Sequence, residues 1–190
     1  MLPADSAENA QVPVENPFGA SHVETILRER RWLPDGWQSA ADNQQSAVQS
    51  WLERAATLLG PQVADAAALA DLLSLVFQYD ARAILATPEA HSVLAREGAR
   101  AVIRTLAHTV LEGPEVDSDR FKEIITAVKE QTGRRGRELF HPIRMALAGR
   151  AGEGELDRVI LLLDAAAKLP FAAPVKSVRQ RMLEFCAALD

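Results

Sequence analysis

Apolar residues recur at intervals of three and four along most of this chain, and this spacing limits what it can fold into. The longest example spans residues 48–59, where one helical face carries Val48, Trp51, Leu52, Ala55, Leu58 and Leu59. Such a period is typical of an amphipathic α-helix. No four consecutive residues show the alternation and β-branched enrichment of a strand. The sequence therefore predicts an all-α protein, an irregular bundle of about nine or ten helices.

Glycine and proline interrupt the helical pattern and suggest an organisation in two parts. The Gly-Pro break at 113–114 predicts a first helical subdomain at 18–112 and a second at 113–190. Residues 1–17 lack apolar periodicity and are rich in Pro, Asn, Ala and acid, which predicts a flexible tail. The last predicted helix, at 175–189, either caps the bundle or forms a dimer contact, and the oligomeric state stays open.

Short polar signals predict where several helices begin. Residues 21–24 have the Ser-x-x-Glu spacing of a capping box. Thr87 precedes a proline, which predicts a capping hydroxyl followed by proline at the first helical position. Asp117 or Ser118 is expected to cap a further helix, and a short helix is predicted at 142–147 because proline belongs at a helix start.

Composition places the chain among proteins of a reducing compartment. The formal net charge is −5, so the molecule as a whole is not attracted to polyanions. The only cysteine is Cys186, so no internal disulfide is possible. The first twenty residues lack the basic start and apolar run of a signal peptide, and Asp164 interrupts the longest apolar run. We therefore expect a cytoplasmic protein without a membrane partner.

No pattern in the sequence indicates catalysis. The four histidines show no i, i+4 pairing and have no cysteine nearby, so no metal site is expected. Nucleotide-binding loops and nucleophile elbows are absent, so neither a cofactor nor an enzyme activity is expected. The acids at 115–119 lie where a turn and a helix cap require them. Trp32, Trp37 and Trp51 are expected in the core rather than on a base-stacking platform.

Positive charge is concentrated between Lys129 and Arg150. This window holds six cations and two carboxylates, which leaves +4 there and −9 on the rest of the chain. Gly133 and Gly136 bracket two of the arginines, so the backbone there turns freely and approaches a partner closely. Arginines beside a helix start favour a phosphate or a base edge as ligand. The alternative is that the arginines only cover an exposed face.

The basic segment also resembles a known family. The string G-x-x-G-x-x-LF-x-P-x-R-x-AL-x-G at 133–149 is similar to the C-terminal anticodon-binding region of bacterial-type glutamyl-tRNA synthetases. VQSWLERAATL at 48–58 resembles a helix of that family with an "ERAKTL" core, and residues 70–79 resemble the segment that follows. HVETILRERRWLP at 22–34 resembles the preceding helix. The resemblance covers approximately residues 20–165.

This resemblance implies an all-α cage that grips the anticodon loop of a tRNA. Arg144 matches the arginine of the family's P-x-R element, which implies a position near the anticodon bases. The loop after Gly149 corresponds to a second anticodon-contacting stretch, although here residues 153–155 bring acid close to a polyanion. The candidate RNA-binding residues are Lys129, Arg134, Arg135, Arg137, His141, Arg144 and Arg150.

The catalytic half of the resembled family has no counterpart in this sequence. Neither its Rossmann-type domain nor its ATP-binding signatures are present, so this chain is expected not to form an aminoacyl-adenylate alone. Three interpretations remain open. The chain is a tRNA-binding module, a protein-interaction scaffold that docks to a synthetase or another protein, or the separated C-terminal half of a glutamyl-tRNA synthetase.

Overall fold

A computed structural model describes residues 16–189, which form ten α-helices and two short 3-10 turns. The α-helices are α1 (Ala20–Glu29), α2 (Asp42–Leu59), α3 (Ala66–Phe77), α4 (Ala81–Leu85), α5 (Pro88–Leu94), α6 (Ala99–Leu111), α7 (Ser118–Thr132), α8 (Arg137–Ala148), α9 (Gly154–Ala166) and α10 (Val178–Leu189). The 3-10 turns are Trp37–Ser39 and Gly60–Gln62. No strand occurs within the described residues. The prediction of an all-α protein is confirmed.

Two of the predicted helix caps are present with the expected hydrogen bonds. The Thr87 hydroxyl accepts the amide N–H of Ala90 at 3.1 Å at the start of α5. At the start of α7, the Asp117 carboxylate accepts the amides of Asp119 and Arg120 at 3.0 and 2.8 Å. Both side chains satisfy amides that lack a partner inside the helix.

Two other helix starts differ from the sequence prediction. α1 begins at Ala20, and the amide of Gly19 donates to His22 Nδ1 at 3.2 Å, so the capping box predicted at 21–24 is wrong. The five-residue helix α4 was not predicted, because it is too short to show an apolar period. Its start is fixed locally by Asp80, whose carboxylate accepts two amides of the first turn.

α9 lies at the centre of the bundle and packs against α2, α3 and α8. Residues 159–163 are all buried, as expected for a stretch of helix that is apolar on every side. Asp164 follows them and is only 8% exposed. Its two carboxylate oxygens accept the amides of Val116 at 2.6 Å and Val178 at 2.7 Å. These bonds satisfy the buried charge and attach the loop before α7 and the start of α10 to the core.

An aromatic cluster joins the first helices to the centre of the fold. Trp32 stacks on Phe77 with ring centroids 4.7 Å apart. Trp51 contacts Phe77 and Phe171 edge to face. These rings and Trp37 are all buried, so the prediction that the three tryptophans belong to the core is confirmed.

The last helix, α10, caps the bundle, as one of the two alternatives predicted. It packs against α4, α6 and α8, and Phe185 is fully buried. Arg181 is also fully buried and donates to the carbonyls of Val76 (2.6 Å), Leu147 (2.8 Å) and Lys176 (3.2 Å). The first two carbonyls belong to the last turns of α3 and α8, which lack donors and carry partial negative charge. Burial lowers the pKa of Arg181 to about 10, so the guanidinium stays charged at neutral pH.

Helices from both sides of the predicted boundary at 112–113 share one core. α2 and α3 precede the boundary and pack against α9, which follows it. The buried apolar residues form one continuous cluster. The division into two subdomains stays a prediction. Of the predicted tail, residues 1–15 lie outside the described part of the chain, while Asn16 donates to the carbonyl of Ala56 at 3.0 Å.

Candidate nucleic-acid interface

Two glycines shape the turn between α7 and α8, which we call the basic turn (residues 133–137). Gly133 has a φ of 68° and Gly136 a φ of 52°, values that side-chain-bearing residues rarely adopt. Gly133 ends α7, as predicted, by donating its amide to a carbonyl of the last turn. Between the glycines, Arg135 is exposed and Arg134 is half-buried. The backbone therefore turns as the sequence predicts.

α8 begins at Arg137, so the predicted start at Pro142 is wrong. Pro142 lies inside the helix and has no N–H for the carbonyl of Glu138, four residues earlier. Packing compensates for this loss, because most of the helix from its third residue onwards is buried. The unpaired amides at the helix start therefore belong to residues 137–138, and Arg144 lies about two turns further along.

Arg144 is 7% exposed, and its guanidinium is fully engaged inside the protein. Two of its nitrogens donate to the two carboxylate oxygens of Asp157, each at 2.8 Å, and the third donates to the carbonyl of Gly152 at 2.8 Å. The group also lies 4.8 Å from the ring centroid of Phe140 and 4.0 Å from Glu153. Such a bidentate pair is strong and directional. Contact between Arg144 and an anticodon base therefore requires Asp157 to release it first.

Arg134 and Arg150 form ion pairs nearer the surface. Arg134 donates to Glu97 at 3.1 Å and to Glu138 at 3.3 Å, and these hydrogen bonds raise its pKa. Arg150 donates to both oxygens of Asp71, which raises the pKa of the arginine and lowers that of the carboxyl. The carboxylates are exposed, 91% in the case of Glu97. Exposed pairs contribute little stability and open readily to a competing anion.

His141 lies near the charges of Arg96, Arg137 and Arg144. An N–H of Arg96 contacts its Nδ1 at 3.0 Å, so Nδ1 is the acceptor and Nε2 carries the proton. Burial, then the charges of Arg96 and Arg137, lower the pKa of His141. Nε2 is buried without a hydrogen-bond partner. The imidazole is thus a neutral ring with one unsatisfied donor. The sequence did not reveal Arg96 as a neighbour, because it lies 45 residues away.

The remaining candidate cations project into solvent. Within the part of the chain that the structure describes, the side chains of Lys129 and Arg135 form no ion pair or hydrogen bond, and both residues are exposed. Arg137 has a side chain that is 78% exposed, with Glu153 at 3.8 Å. These three cations meet solvent along the end of α7 and the basic turn.

The acidic residues that the sequence places near the interface belong to the start of α9. Glu153 is the N-terminal cap residue of α9, and Glu155 and Asp157 lie in its first turn. Carboxylates stabilise a helix start, where the helix dipole is positive. The same carboxylates reach the basic segment, because Glu153 approaches Arg137 and Asp157 binds Arg144. The start of α9 therefore neutralises part of the positive charge seen in the sequence.

The sequence pattern of a protein family described as "Anticodon binding domain" matches residues 24–166. The chain belongs to the anticodon-binding domain family. The match includes the basic turn, the ion pair between Arg144 and Asp157, and the acidic start of α9. α10, with the buried Arg181, lies beyond the matched part of this anticodon-binding domain.

Curated proteins similar to this anticodon-binding domain are glutamate–tRNA ligases. Glutamate–tRNA ligase 2 of Syntrophus aciditrophicus is 33% identical over 113 residues, and glutamate–tRNA ligase of Bacillus licheniformis is 33% identical over 115 residues. Each alignment covers 60% of this chain and 23% of the relative. Glutamate–tRNA ligase of Bdellovibrio bacteriovorus is 25% identical over 149 residues, 77% of this chain and 30% of its own length. This chain therefore spans less than a third of these relatives. No solved structure matches it significantly.

The described part of the anticodon-binding domain lacks two further features. No group of His, Cys, Asp or Glu side chains there is arranged to hold a metal ion. None of its helices combines the length and the apolar character that crossing a membrane requires.

Proposed function

We propose that this domain binds tRNA through the anticodon loop and contributes recognition rather than bond-making chemistry, as a cytoplasmic protein without a cofactor. The observation that supports this most directly is the family match, which includes the exposed basic turn. The names of the relatives, glutamate–tRNA ligases, favour a tRNA over other structured RNA. Aminoacylation would then require catalytic residues supplied elsewhere.

The seven candidate residues have different tasks in this proposal. Lys129 and Arg135 contact phosphates directly, since they are exposed and have no carboxylate partner among the described residues. Arg137 does so too, because its side chain is 78% exposed and its one ion pair, with Glu153, is long at 3.8 Å. Arg134 and Arg150 join them when RNA displaces their exposed carboxylates. The other two act from behind the surface: His141 offers the unsatisfied Nε2–H, and Arg144 positions the start of α9.

The proposal is tested by a gel shift of the purified protein with total tRNA at two ionic strengths, followed by sequencing of the bound fraction. We expect binding at low salt with a log–log salt slope of roughly −2 or steeper, because the three exposed cations of the basic turn and the end of α7 each release about 0.7 counterions. An R135Q/R137Q variant should bind much more weakly. As a matched control, R30Q/R31Q removes the same charge from two exposed residues directly after α1. Absence of tRNA binding at low salt would contradict the proposal.

A second candidate function is a protein-interaction scaffold that has lost RNA binding and docks to a synthetase or another protein. It is favoured by the closure of Arg144 on Asp157 and by the acid at the start of α9. A co-purified protein partner would discriminate the two functions if its binding survives replacement of Arg134, Arg135 and Arg144. Under the tRNA proposal, no such partner is needed for RNA binding.

A further inference from the structure

A row of three arginines and one histidine lies along one side of α6 and the loop before it. Arg96, Arg100, Arg104 and His108 follow one another at intervals of four residues. Four residues of α-helix advance about 6 Å and slightly more than one turn. Arg100, Arg104 and His108, the members of the row within α6, therefore lie on one face of that helix. All four residues are exposed. The row is absent from the candidate residues given by the sequence.

No carboxylate among residues 16–189 pairs with an arginine of this row. Within the described residues, Arg100 and Arg104 form no ion pair or side-chain hydrogen bond, and the only such contact of Arg96 is with His141. His108 has one distant acid, Glu112, at 4.0 Å. Like charges at this helical spacing repel one another, so the row costs stability and is not explained by packing.

The row is continuous with the basic turn. Arg96 donates to His141 of α8, and Arg134 pairs with Glu97 beside it. The Arg134 side chain also covers the start of α6, because a Cβ placed on Gly98 would lie 2.4 Å from its Nε. Basic side chains therefore lie side by side from the basic turn to α6, with the exposed carboxylate of Glu97 between Arg96 and Arg134.

The shape of this surface suits an extended polyanion. Arg100, Arg104 and His108 line one wall of a shallow cavity of about 330 Å³ between α6 and α10. Within α6 the members of the row follow one another about 6 Å apart along the helix axis, which is close to the separation of successive phosphates along a nucleic-acid strand. A protein partner would instead require large apolar anchors. Leu183 on α10 is the single exposed large apolar residue in the described part of the chain, so phosphate is the better match.

We propose that Arg96, Arg100 and Arg104 form a phosphate-binding row that holds the RNA strand as it leaves the basic turn. This inference rests on the proposed function, because it assumes that an RNA reaches the basic turn. In this proposal the row contacts phosphates and does not recognise individual bases. It increases affinity for any RNA strand, while discrimination among tRNAs stays with the residues around the basic turn.

The row is tested with the R100Q/R104Q variant in fluorescence anisotropy titrations at three salt concentrations. The probes are a tRNA transcript with a glutamate anticodon and a single-stranded poly(U) oligonucleotide. We expect the variant to bind both RNAs more weakly by a similar factor, with a poly(U) salt slope flatter by about 1.4. R30Q/R31Q is again the matched control, because it removes equal charge from the turn directly after α1, a helix that packs on α2 and α3. Circular dichroism should show unchanged folding, since both row residues are exposed.

Each outcome decides between the two proposals. If the wild-type protein binds tRNA and R100Q/R104Q binds it equally well, the row is refuted and the proposed function stands. If the variant loses poly(U) affinity while the wild-type protein does not distinguish tRNA from poly(U), the row stands and anticodon recognition is refuted. If the wild-type protein binds neither RNA at low salt, both the proposed function and the phosphate-binding row are refuted. The exposed arginines would then favour the protein-interaction scaffold.

Discussion

Arg144 and Asp157 are joined by two hydrogen bonds of 2.8 Å each, across the 13 residues that separate them in the chain. The pair connects α8 to α9, with Arg144 buried and Asp157 half-buried. A carboxylate and a phosphate present two oxygens to a guanidinium in the same way. Asp157 therefore occupies the side of Arg144 that an RNA phosphate or base edge would use. Under the proposed function, the pair stabilises the fold and restrains recognition.

The first prediction concerns that restraint. Asp157→Asn keeps the shape of the side chain but removes its charge, so Arg144 becomes available and a repulsive carboxylate disappears. We expect tRNA to bind about 1 kcal/mol more tightly, roughly fivefold, in anisotropy titrations. Asp119→Asn is the control, because it removes an exposed carboxylate paired with Lys122 on α7. Unchanged affinity in D157N would show that Asp157 does not compete with RNA.

The second prediction separates a structural arginine from a binding one. Arg144→Ala leaves the Asp157 carboxylate and the Gly152 carbonyl without their donors, so the free energy of unfolding should fall by about 2 kcal/mol. The melting temperature should fall by about 5 °C. Arg135→Ala should leave stability within about 0.5 kcal/mol of wild type and weaken tRNA binding. The opposite pattern in thermal melts and titrations would exchange the two roles.

The third prediction concerns the buried arginine of α10. Arg181→Met removes three hydrogen bonds to carbonyls, two of them at the ends of α3 and α8. Because those carbonyls stay buried without donors, urea unfolding should show a loss of about 3 kcal/mol or more. Arg158→Met, on the exposed side of α9, should change stability little. Equal stability of R181M and wild type would mean that apolar packing alone holds α10.

The fourth prediction is a pH dependence. Burial and the charges of Arg96 and Arg137 keep the pKa of His141 below its ordinary value of 6.5. As the pH falls through 6.5, the unfolded chain binds a proton that the folded protein does not, so the free energy of unfolding decreases. His141→Gln should reduce the difference in melting temperature between pH 7.5 and pH 5.5. His91→Gln, which changes an exposed histidine of α5, should not.

Much of the fold could be predicted because helices depend on neighbours within a few residues. The period of apolar residues, the caps Thr87 and Asp117, and the left-handed Gly133 are all local, and the structure has each of them. The misplaced start of α8 follows from the same locality. Proline normally begins a helix, but here the packing of the surrounding residues tolerates it in the interior.

Which side chains of the candidate interface are available could not be predicted from local sequence. The sequence by itself determined that this chain is helical, that it carries a local excess of arginine between two glycines, and that it resembles an anticodon-binding region. Only the tertiary structure decided which arginines are available, since Asp157 engages Arg144 while Arg135 remains exposed. The physical reason is that helix formation depends on bonds between residues four apart. The partner of a charged side chain depends instead on how separate helices pack, which no local spacing specifies.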